Sequence, residues 1–397
     1  MRIGVASLGN VSGDTGGRNY IEHFFRTLPE LDTPHEFVLF LSEGERAKLD
    51  LGSAQITIVE LPPRPNSPLH KIIGEQFLLP RAIRRTKIDV MYFPGNFASY
   101  HTPVPYVLSI RALAHYYGAN YGVDRTRRII RKGLMPFSAR RAKKIIAPSH
   151  DIKNDILKFI GIETDQIEVV PHGVDTSLFD GERNRRAPEG FQLLGHYGLQ
   201  PQQYLLYVSA LWRYKNQDKL IEAHARIIRQ LQASKSDLPM LVIAGKGTGN
   251  DPQYLQYLHT LPAKLGTTDF VRFTGQLSQL DLRYLYAHAR AFVFPSSYES
   301  FGNPLFESWA SGIPVAASNV HSFPEIVGDA GLLFDPLDEN AFDRTLLQLL
   351  TDHPLRESLV AKGLERVRLF SWKRAVERTI SVLEHVKTSD SVIRVRP

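Results

Sequence analysis

The chain has 397 residues, of which 43% are hydrophobic and 22% charged, and this composition excludes global disorder. It contains no cysteine, which excludes disulfide bonds, thiolate metal sites and a cysteine nucleophile. The net charge of +7 favours an anionic partner: a phosphorylated small molecule, an anionic lipid or a nucleic acid. We find no signal peptide and no run of 18 apolar residues, so we expect a soluble or peripheral protein of the cytoplasm.

The first half alternates short β-branched segments with longer amphipathic ones, a pattern typical of strand–helix–strand units on a parallel sheet. Strands are predicted at 2–7, 36–42, 55–61, 90–95, 105–111, 144–149 and 167–173. Helices are predicted near 17–28, 69–86, 125–140 and 150–160. Residues 180–203 are polar and contain glycine and proline, which predicts a linker between two domains.

The second half repeats the same alternation. Strands are predicted at 204–210, 240–246, 270–276, 291–296, 313–318 and 331–336. Helices are predicted near 216–232, 251–265, 278–289, 304–311, 322–327, 338–352 and 354–368. We therefore predict an α/β fold with two Rossmann-like, doubly wound parallel-sheet domains, residues 1–185 and 186–371, that face a central cleft. A last helix at 372–390 is predicted to pack back onto the first domain.

Two carboxylates flank a Gly-Asn-Pro turn after a strand of the second half, where an open α/β sheet usually binds its ligand. Asn303 as N-cap and Pro304 as first helical residue predict a helix start, and Gly302 permits close backbone approach. Glu307 would lie in the first turn and Glu299 on the other side. A helix N-terminus for a diphosphate and carboxylates for neutral hydroxyls indicate a nucleotide-sugar site. The alternative is that Glu307 only complements the helix dipole while Glu299 is solvated.

Two further loops carry candidate ligand-binding residues. Arg213 and Lys215 follow the first strand of the second half, where they could neutralise a diphosphate leaving group or simply be exposed. Gly16 and Gly17 open the first helix, but with Gly13 they do not give the G-x-G-x-x-G spacing of a dinucleotide turn. They could hold a phosphate or an acceptor, or only form a turn.

Together these segments resemble the retaining glycosyltransferases of family 4, which have the GT-B fold. The resemblance covers nearly the whole chain, and ESFGNPLFE at 299–307 is similar to the family's E-x7-E motif. The other similar segments are ASGIPVAASNVHSFPEIVGDAGLLFDP, VVPHGVDTSLF, VRFTGQLS and the GDTGG loop. The resemblance implies transfer of a hexose from a nucleoside diphosphate to a hydroxyl, with retention at the anomeric carbon. We expect no metal and no other cofactor, because the chain has no D-x-D segment and no metal-ligand spacing.

The resemblance also implies roles for individual residues. Glu299 would contact the hydroxyls of the donor sugar, Glu307 those of the ribose, and Arg213 and Lys215 the diphosphate. The remaining donor-site positions implied by the family are Phe301, Gly302, Asn303, Pro304, Leu305, Gly245 and Gly275. The glycine pair Gly16 and Gly17 would border the acceptor and the β-phosphate.

Two positions depart from the family pattern. A His-Asp pair that the family often carries after the strand at 105–111 is replaced by Arg111 and Ala112, so either Arg111 or His115 is expected to serve there. Ser209 stands where the family has a glycine, and Arg213 is displaced relative to many members.

For substrates, we predict a UDP-sugar such as UDP-glucose rather than GDP-mannose, and a glycan or lipid-linked acceptor in polysaccharide or glycoconjugate synthesis. The alternatives are another GT-B enzyme, such as a sugar-phosphate synthase or a phosphorylase, and a non-catalytic sugar-binding relative. A nucleic-acid-binding protein is the alternative from charge alone, but the chain lacks an RNP-type aromatic strand and zinc-ligand spacing.

Segment 125–144 mixes basic and apolar residues and contains no acid. It is either an ordinary helix with a solvated basic face or a surface that contacts an anionic membrane, such as the inner face of the plasma membrane.

Overall fold

The computed structural model describes residues 1–8, 16–62, 74–117, 125–233, 238–247 and 251–394, with only the backbone of 125–131 and 389–394. The chain divides into two compact units. Unit 1 comprises residues 1–116, 125–173 and the segment from Trp372 onward. Unit 2 comprises residues 174–371 together with Tyr117. The chain therefore passes into unit 2 at Gly173–Val174, not at the predicted residue 185, and returns after Ser371.

Unit 1 contains a seven-stranded parallel sheet in the order β3-β2-β1-β4-β5-β6-β7. The strands are β1 (Arg2–Ala6), β2 (Glu36–Ser42), β3 (Thr57–Leu61), β4 (Val90–Phe93), β5 (Tyr106–Ser109), β6 (Lys144–Ala147) and β7 (Ile167–Val169). Its first five helices are α1 (Gly16–Thr27), α2 (Leu79–Arg85), α3 (Ala114–Tyr117), α4 (Arg125–Arg141) and α5 (His150–Ile160). A π-helical segment, Gly74–Leu78, leads directly into α2.

Unit 2 contains a six-stranded parallel sheet in the order β10-β9-β8-β11-β12-β13. The strands are β8 (Tyr204–Val208), β9 (Met240–Ala244), β10 (Val271–Gly275), β11 (Ala291–Phe294), β12 (Val315–Ser318) and β13 (Leu332–Phe334). Its helices are α6 (Gly181–Arg186), α7 (Pro188–Tyr197), α8 (Gln217–Ala233), α9 (Pro252–Leu265), α10 (Gln279–His288), α11 (Asn303–Ala310), α12 (Phe323–Val327), α13 (Glu339–Thr351) and α14 (His353–Val367).

The central strands of both sheets are largely apolar because helices cover both faces. In unit 2, every residue of β8 and β11 is buried. In unit 1, β2 is buried at every position after Glu36. This continuous burial explains why sequence alone located the sheets: all thirteen strands that the structure describes lie within the predicted segments.

The prediction of a linker at 180–203 is wrong, because the segment forms α6 and α7 within unit 2. Asp180 caps α6 by accepting a hydrogen bond from the N–H of Arg183 at 2.9 Å. Pro188 begins α7, and Gly198 ends it in the left-handed conformation with φ +66°. Pro188 and Gly198 thus mark the start and the end of a helix rather than a flexible connection.

The C-terminal helix, α15 (Trp372–Arg394), belongs to unit 1. Its inner face contributes Val376, Ile380, Leu383 and Val386 to the core on one side of the sheet. The Trp372 ring stacks on that of His23 in α1, with the centroids 4.9 Å apart. None of the helices in the described ranges combines the length and apolar composition that a membrane span needs.

Candidate active site

The candidate site of unit 2 lies where the strand order reverses. Strands β8 and β11 are neighbours in the sheet, although several elements separate them in sequence. The loop after β8 forms a 3-10 turn, Arg213–Lys215, and the loop after β11 carries Glu299 and leads into α11. Because parallel strands end at the same edge, the fold brings both predicted loops together.

Lys215 and Glu299 form a buried ion pair, in which the Lys215 ammonium donates to the Glu299 carboxylate. Their side chains are 9% and 13% exposed. The hydroxyl of Ser296 also donates to the carboxylate of Glu299, at 3.3 Å. Burial alone would lower the pKa of Lys215, but the negative charge of Glu299 and the nearby Tyr214 raise it above its ordinary value. The lysine is therefore charged and held in place.

Asn216 fixes the two loops to each other. It adopts the left-handed conformation, with φ +55°, which asparagine tolerates better than most residues. Its side-chain amide donates to the carbonyl of Pro295 at 2.7 Å and to the hydroxyl of Ser297 at 2.8 Å. The N–H of Ser297 donates back to the carbonyl of Tyr214 at 2.7 Å. Lys215 and Glu299 thus project from a rigid frame.

Glu307 lies on α11 and is bonded by a tyrosine that the sequence did not single out. The hydroxyl of Tyr286, on α10, donates to Glu307 Oε2 at 2.8 Å. Burial raises the pKa of Glu307 to about 7, although the Tyr286 hydrogen bond acts in the opposite direction. The Tyr286 side chain is itself buried between Phe179 and Phe292. This carboxyl group is oriented, and its protonation changes near neutral pH.

The turn before α11 has the conformation that close backbone approach requires. Gly302 has φ +81°, and a Cβ there would lie 2.7 Å from the Phe323 ring. The prediction that Asn303 is the N-cap is wrong by one residue: Gly302 holds the cap position, Asn303 is the first helical residue and Pro304 follows. No side chain caps this helix, so the positive end of its dipole lies uncompensated at this edge of the sheet, while the N–H of Leu305 donates to the carbonyl of Gly302 at 2.9 Å.

Phe301 and Leu305 are core residues that support this turn. Both are buried, and the Phe301 ring stacks on Phe306 with centroids 4.6 Å apart. Of the sequence-predicted donor positions, these two contribute packing to the turn, and any contact with a ligand would come from their backbone.

Gly245 and Gly275 lie at the ends of β9 and β10. The N–H of Gly245 donates to the carbonyl of Gly275 at 2.8 Å. Gly245 has φ +155°, and a Cβ there would lie 1.8 Å from the carbonyl oxygen of Ser209, which follows β8. Glycine is therefore required at Gly245 to let the loops after β8 and β9 approach each other.

Arg213, the second predicted diphosphate ligand, is paired with a carboxylate. Its guanidinium donates to both oxygens of Asp251, at 2.6 and 3.3 Å, and lies 4.8 Å from the Tyr254 ring centroid. Asp251 also caps α9, accepting from the N–H of Tyr254 at 2.9 Å. The Arg213 side chain is 52% exposed, so it is less constrained than Lys215.

In unit 1, Arg111 occupies the corresponding switch point, beside β1 and β4. Its N–H donates to the side-chain oxygen of Asn96 at 2.7 Å, and its guanidinium donates to the carbonyl of Gly16 at 3.1 Å. The guanidinium also lies 5.3 Å from the Tyr20 ring centroid. Burial lowers the pKa of Arg111 from its ordinary value. Gly16 is exposed and Gly17, next in α1, is half-buried.

Arg111 lines a pocket of about 190 Å³ together with Glu75 and Asn96. His115 does not line this pocket: it is buried on α3, with its ring 4.6 Å from that of Tyr116. Of the two residues that the sequence offered for the acceptor side, Arg111 is therefore the one at the strand ends.

Two family models match this chain, one described as Glycosyltransferase Family 4 at residues 15–178 and one as Glycosyl transferases group 1 at 197–366. The chain belongs to glycosyltransferase family 4. Among curated relatives, the O-antigen chain mannosyltransferase B of Escherichia coli is 32% identical over 60% of this chain and 60% of its own length. The D-inositol 3-phosphate glycosyltransferase of Thermomonospora curvata is 31% identical over 62% of this chain and 58% of its own length.

The fold is likewise shared with solved glycosyltransferases. Anabaena HepE, in complex with UDP and glucose, superposes with a TM-score of 0.75 at 17% identity over 97% of this chain and all of that one. At this low identity the likeness establishes the GT-B fold of this family 4 chain. The matched segments of the curated relatives span only about three fifths of those proteins.

The sequence analysis did not find Tyr286 and Asp251 in unit 2 or Asn96 in unit 1. Tyr286 lies in the sequence LRYLYAH, where nothing separates it from an ordinary core tyrosine. Asp251 could have been found as the N-cap before Pro252, but not as the partner of Arg213. These contacts arise only from the tertiary fold.

Proposed function

We propose that this family 4 protein is a retaining, metal-independent glycosyltransferase that transfers a hexose from a nucleoside diphosphate to a hydroxyl of a glycan or lipid-linked acceptor. The observation that carries the proposal is the arrangement in unit 2. A buried Lys215–Glu299 pair, a second oriented carboxyl group at Glu307 and the start of α11 all lie on the segments that follow β8 and β11, at one edge of the sheet. A diphosphate needs cations and N–H donors, while sugar hydroxyls need carboxylate acceptors.

Each group has a part in binding the donor. The α11 N-terminus and Lys215 would hold the diphosphate, and Glu307 would accept hydrogen bonds from the ribose hydroxyls. Glu299, which Ser296 also bonds, would accept hydrogen bonds from the hexose. Because Lys215 is already bonded to Glu299, the arriving diphosphate has to share the lysine with that carboxylate.

In the proposed reaction, the bond between the anomeric carbon and the β-phosphate oxygen breaks while the acceptor oxygen bonds to the same face of that carbon. The acceptor's proton passes to the departing phosphate, so no protein nucleophile is needed. Negative charge grows on the phosphate as the sugar becomes oxocarbenium-like. Lys215, charged and fixed in advance, stabilises this transition state.

The relatives support two different hexoses, glucose and mannose, in the donor. The UDP and glucose bound to Anabaena HepE support a uridine nucleotide and glucose, as the sequence predicts. The mannosyltransferase relative supports mannose as the hexose. A sugar-phosphate acceptor is the second candidate, supported by the relative named for D-inositol 3-phosphate.

Nucleotide binding tests the proposal most directly. We expect one of UDP, GDP and ADP, or its sugar, to raise the melting temperature clearly in a thermal-shift panel, with EDTA present. Glu307→Ala should remove that shift. Glu357→Ala is the matched control, since Glu357 is a unit 2 glutamate with a 70% exposed side chain. A Glu307→Ala protein that binds nucleotide as tightly as the parent would contradict the assignment.

Transfer is tested separately, with the donor identified by the panel and either a glycan or a sugar phosphate as acceptor. Turnover that requires added divalent cation would contradict metal independence. Inversion at the anomeric carbon, measured by NMR of the early product, would contradict retention.

A further inference from the structure

Unit 1 exposes three large apolar side chains in one region. Among the described residues of that unit, the large hydrophobic side chains that are clearly exposed are Phe77 at 53%, Phe137 at 48% and Leu134 at 40%. Phe77 lies on the π-helical segment before α2, and the other two lie on α4. We call these three residues the apolar patch.

Residues of the β4–β5 connection join the members of the patch. The Tyr100 ring packs edge-on against Phe137, with centroids 4.8 Å apart, and its hydroxyl donates to the carbonyl of Leu134 at 3.4 Å. The neighbouring His101 ring lies 6.3 Å from that of Phe77. The patch is therefore continuous across two helical segments and a loop.

The exposure of the patch is not explained by the core. On the same helix, Met135, Ser138 and Ala139 are almost completely buried and form the inner face of α4. Leu134 and Phe137 point the other way. A helix with an ordinary solvated basic face would carry polar residues at these two positions. Clustered, exposed apolar groups of this kind indicate a contact surface.

Basic side chains lie beside the apolar patch. The guanidinium of Arg141 lies 5.6 Å from the Phe137 ring centroid, and that of Arg81 donates to the carbonyl of Phe77 at 3.4 Å. Lys132 is exposed on α4 beside Leu134. Neither α2 nor α4 contains an acidic residue, while Glu75, the nearest acid along the chain from Phe77, lines the Arg111 pocket instead.

We propose that the apolar patch docks on an anionic lipid bilayer. Phe77, Leu134 and Phe137 enter the interface, and Arg81 and Arg141 contact lipid phosphates. Apolar groups surrounded by positive charge match such a bilayer better than they match a second copy of this chain, which carries the same positive charge. Of the two interpretations of 125–144, the structure thus favours the membrane surface. This inference is independent of the proposed reaction, because its residues lie outside the donor site.

Vesicle sedimentation tests the proposal with the full-length protein. We expect binding to vesicles of phosphatidylcholine with phosphatidylglycerol, and weaker binding to phosphatidylcholine alone or at high salt. The triple variant Phe77→Ser, Leu134→Ser, Phe137→Ser should bind the anionic vesicles about tenfold or more weakly, since each apolar side chain contributes by its burial. Arg81→Gln with Arg141→Gln should lower binding only to the anionic vesicles.

The matched control is Phe191→Ser with Leu280→Ser, two unit 2 side chains that are 52% and 59% exposed. Circular dichroism and the melting temperature of the unliganded protein report whether each variant is folded. The proposal is overturned if the parent does not bind anionic vesicles, or if a folded triple variant binds them as the control does. It is also overturned if sedimentation velocity shows a parent dimer that the triple variant loses, because the patch would then join two copies.

Discussion

A basic side chain lies at each switch point, Lys215 in unit 2 and Arg111 in unit 1, but its charge is compensated in different ways. In unit 2, Lys215 is bonded to the carboxylate of Glu299. In unit 1, the described partners of Arg111 are neutral: the carbonyl of Gly16 and the ring of Tyr20. In unit 2, a hydrogen-bonded carboxylate thus balances the lysine before a ligand arrives, whereas Arg111 is held by neutral groups in a pocket that Glu75 also lines.

This difference follows from the physical chemistry of burial. A buried ammonium is costly unless a counter-charge and hydrogen bonds compensate it, and Glu299 supplies both. The guanidinium of Arg111 is more weakly hydrated and can rest on an aromatic ring and a carbonyl. We infer that the Lys215 ammonium bonds in turn to the Glu299 carboxylate and to the diphosphate of the donor. Arg111, in contrast, serves as a hydrogen-bond donor that keeps its position.

Replacing Lys215 should have the largest effect. We expect Lys215→Ala to lower kcat/KM by about 10²-fold or more, because the leaving phosphate loses its pre-positioned charge and Glu299 is left buried without a partner. Steady-state kinetics with the identified donor would measure this. Lys219→Ala is the control, since Lys219 lies on the adjacent α8, where its side chain is 38% exposed and pairs with Glu222 at 3.4 Å. An undiminished kcat/KM in Lys215→Ala would remove the proposed role.

Replacing Arg111 should affect use of the acceptor without affecting nucleotide binding. We expect Arg111→Ala to lower kcat/KM for the acceptor by roughly tenfold or more, as for the loss of a charged hydrogen-bond donor. The dissociation constant of the nucleotide should not change, because its proposed site lies in unit 2. Arg84→Ala, on the exposed face of α2, is the control. Equal losses in nucleotide binding and transfer would show that the sites are not separate.

The pH dependence of nucleotide binding should report on Glu307. The pKa of its carboxyl group is raised to about 7, so the acceptor form that ribose hydroxyls need dominates above that pH and is lost below it. We expect affinity to fall as pH decreases from 8 to 5, by at most about tenfold per pH unit. Isothermal titration calorimetry across this range would measure the midpoint.

Tyr286→Phe tests whether Glu307 is the group that sets this midpoint. The Tyr286 hydrogen bond lowers the pKa of Glu307, so removing the hydroxyl should move the midpoint to higher pH and weaken binding at pH 7 by a factor of about five. Tyr284→Phe is a control on the same helix, because the Tyr284 hydroxyl bonds Arg283 instead. If the midpoint stays fixed in Tyr286→Phe, another group controls the titration.

Arg213→Ala should have the smallest effect. Because Arg213 is half exposed and already bonded to Asp251, we expect a change of less than about fivefold in kcat/KM, consistent with a solvent-exposed ion pair. A loss as large as that of Lys215→Ala would show that the guanidinium leaves Asp251 for the diphosphate.

The sequence was sufficient for the sheets and the site loops because both have local signals. Buried parallel strands are continuous apolar runs. The ESFGNP turn indicates the start of a helix. The local signals failed where proline and glycine serve two purposes. At 180–203, Pro188 begins α7 and Gly198 ends it, although the same composition also marks linkers.

Side-chain partners could not be predicted in the same way. The motif named Glu299 and Glu307 but not Ser296 or Tyr286, because those contacts depend on how α10 and the β11 loop pack in three dimensions. Likewise, sequence offered both Arg111 and His115, and only the three-dimensional structure distinguishes them, because His115 is buried and lies outside the pocket that Arg111 lines.

Apart from Tyr117, the second unit is a single insertion in the first. Residues 174–371 run without a break, and the N–H of Val174 donates to the carbonyl of Phe370 at 3.2 Å, so the ends of this segment are adjacent. A gene fragment for these residues can therefore be expressed or exchanged between homologues as a single cassette. Unit 1 cannot be cut out as one segment in the same way, since deleting its terminal helix α15 would remove Leu383 and its neighbours from the core.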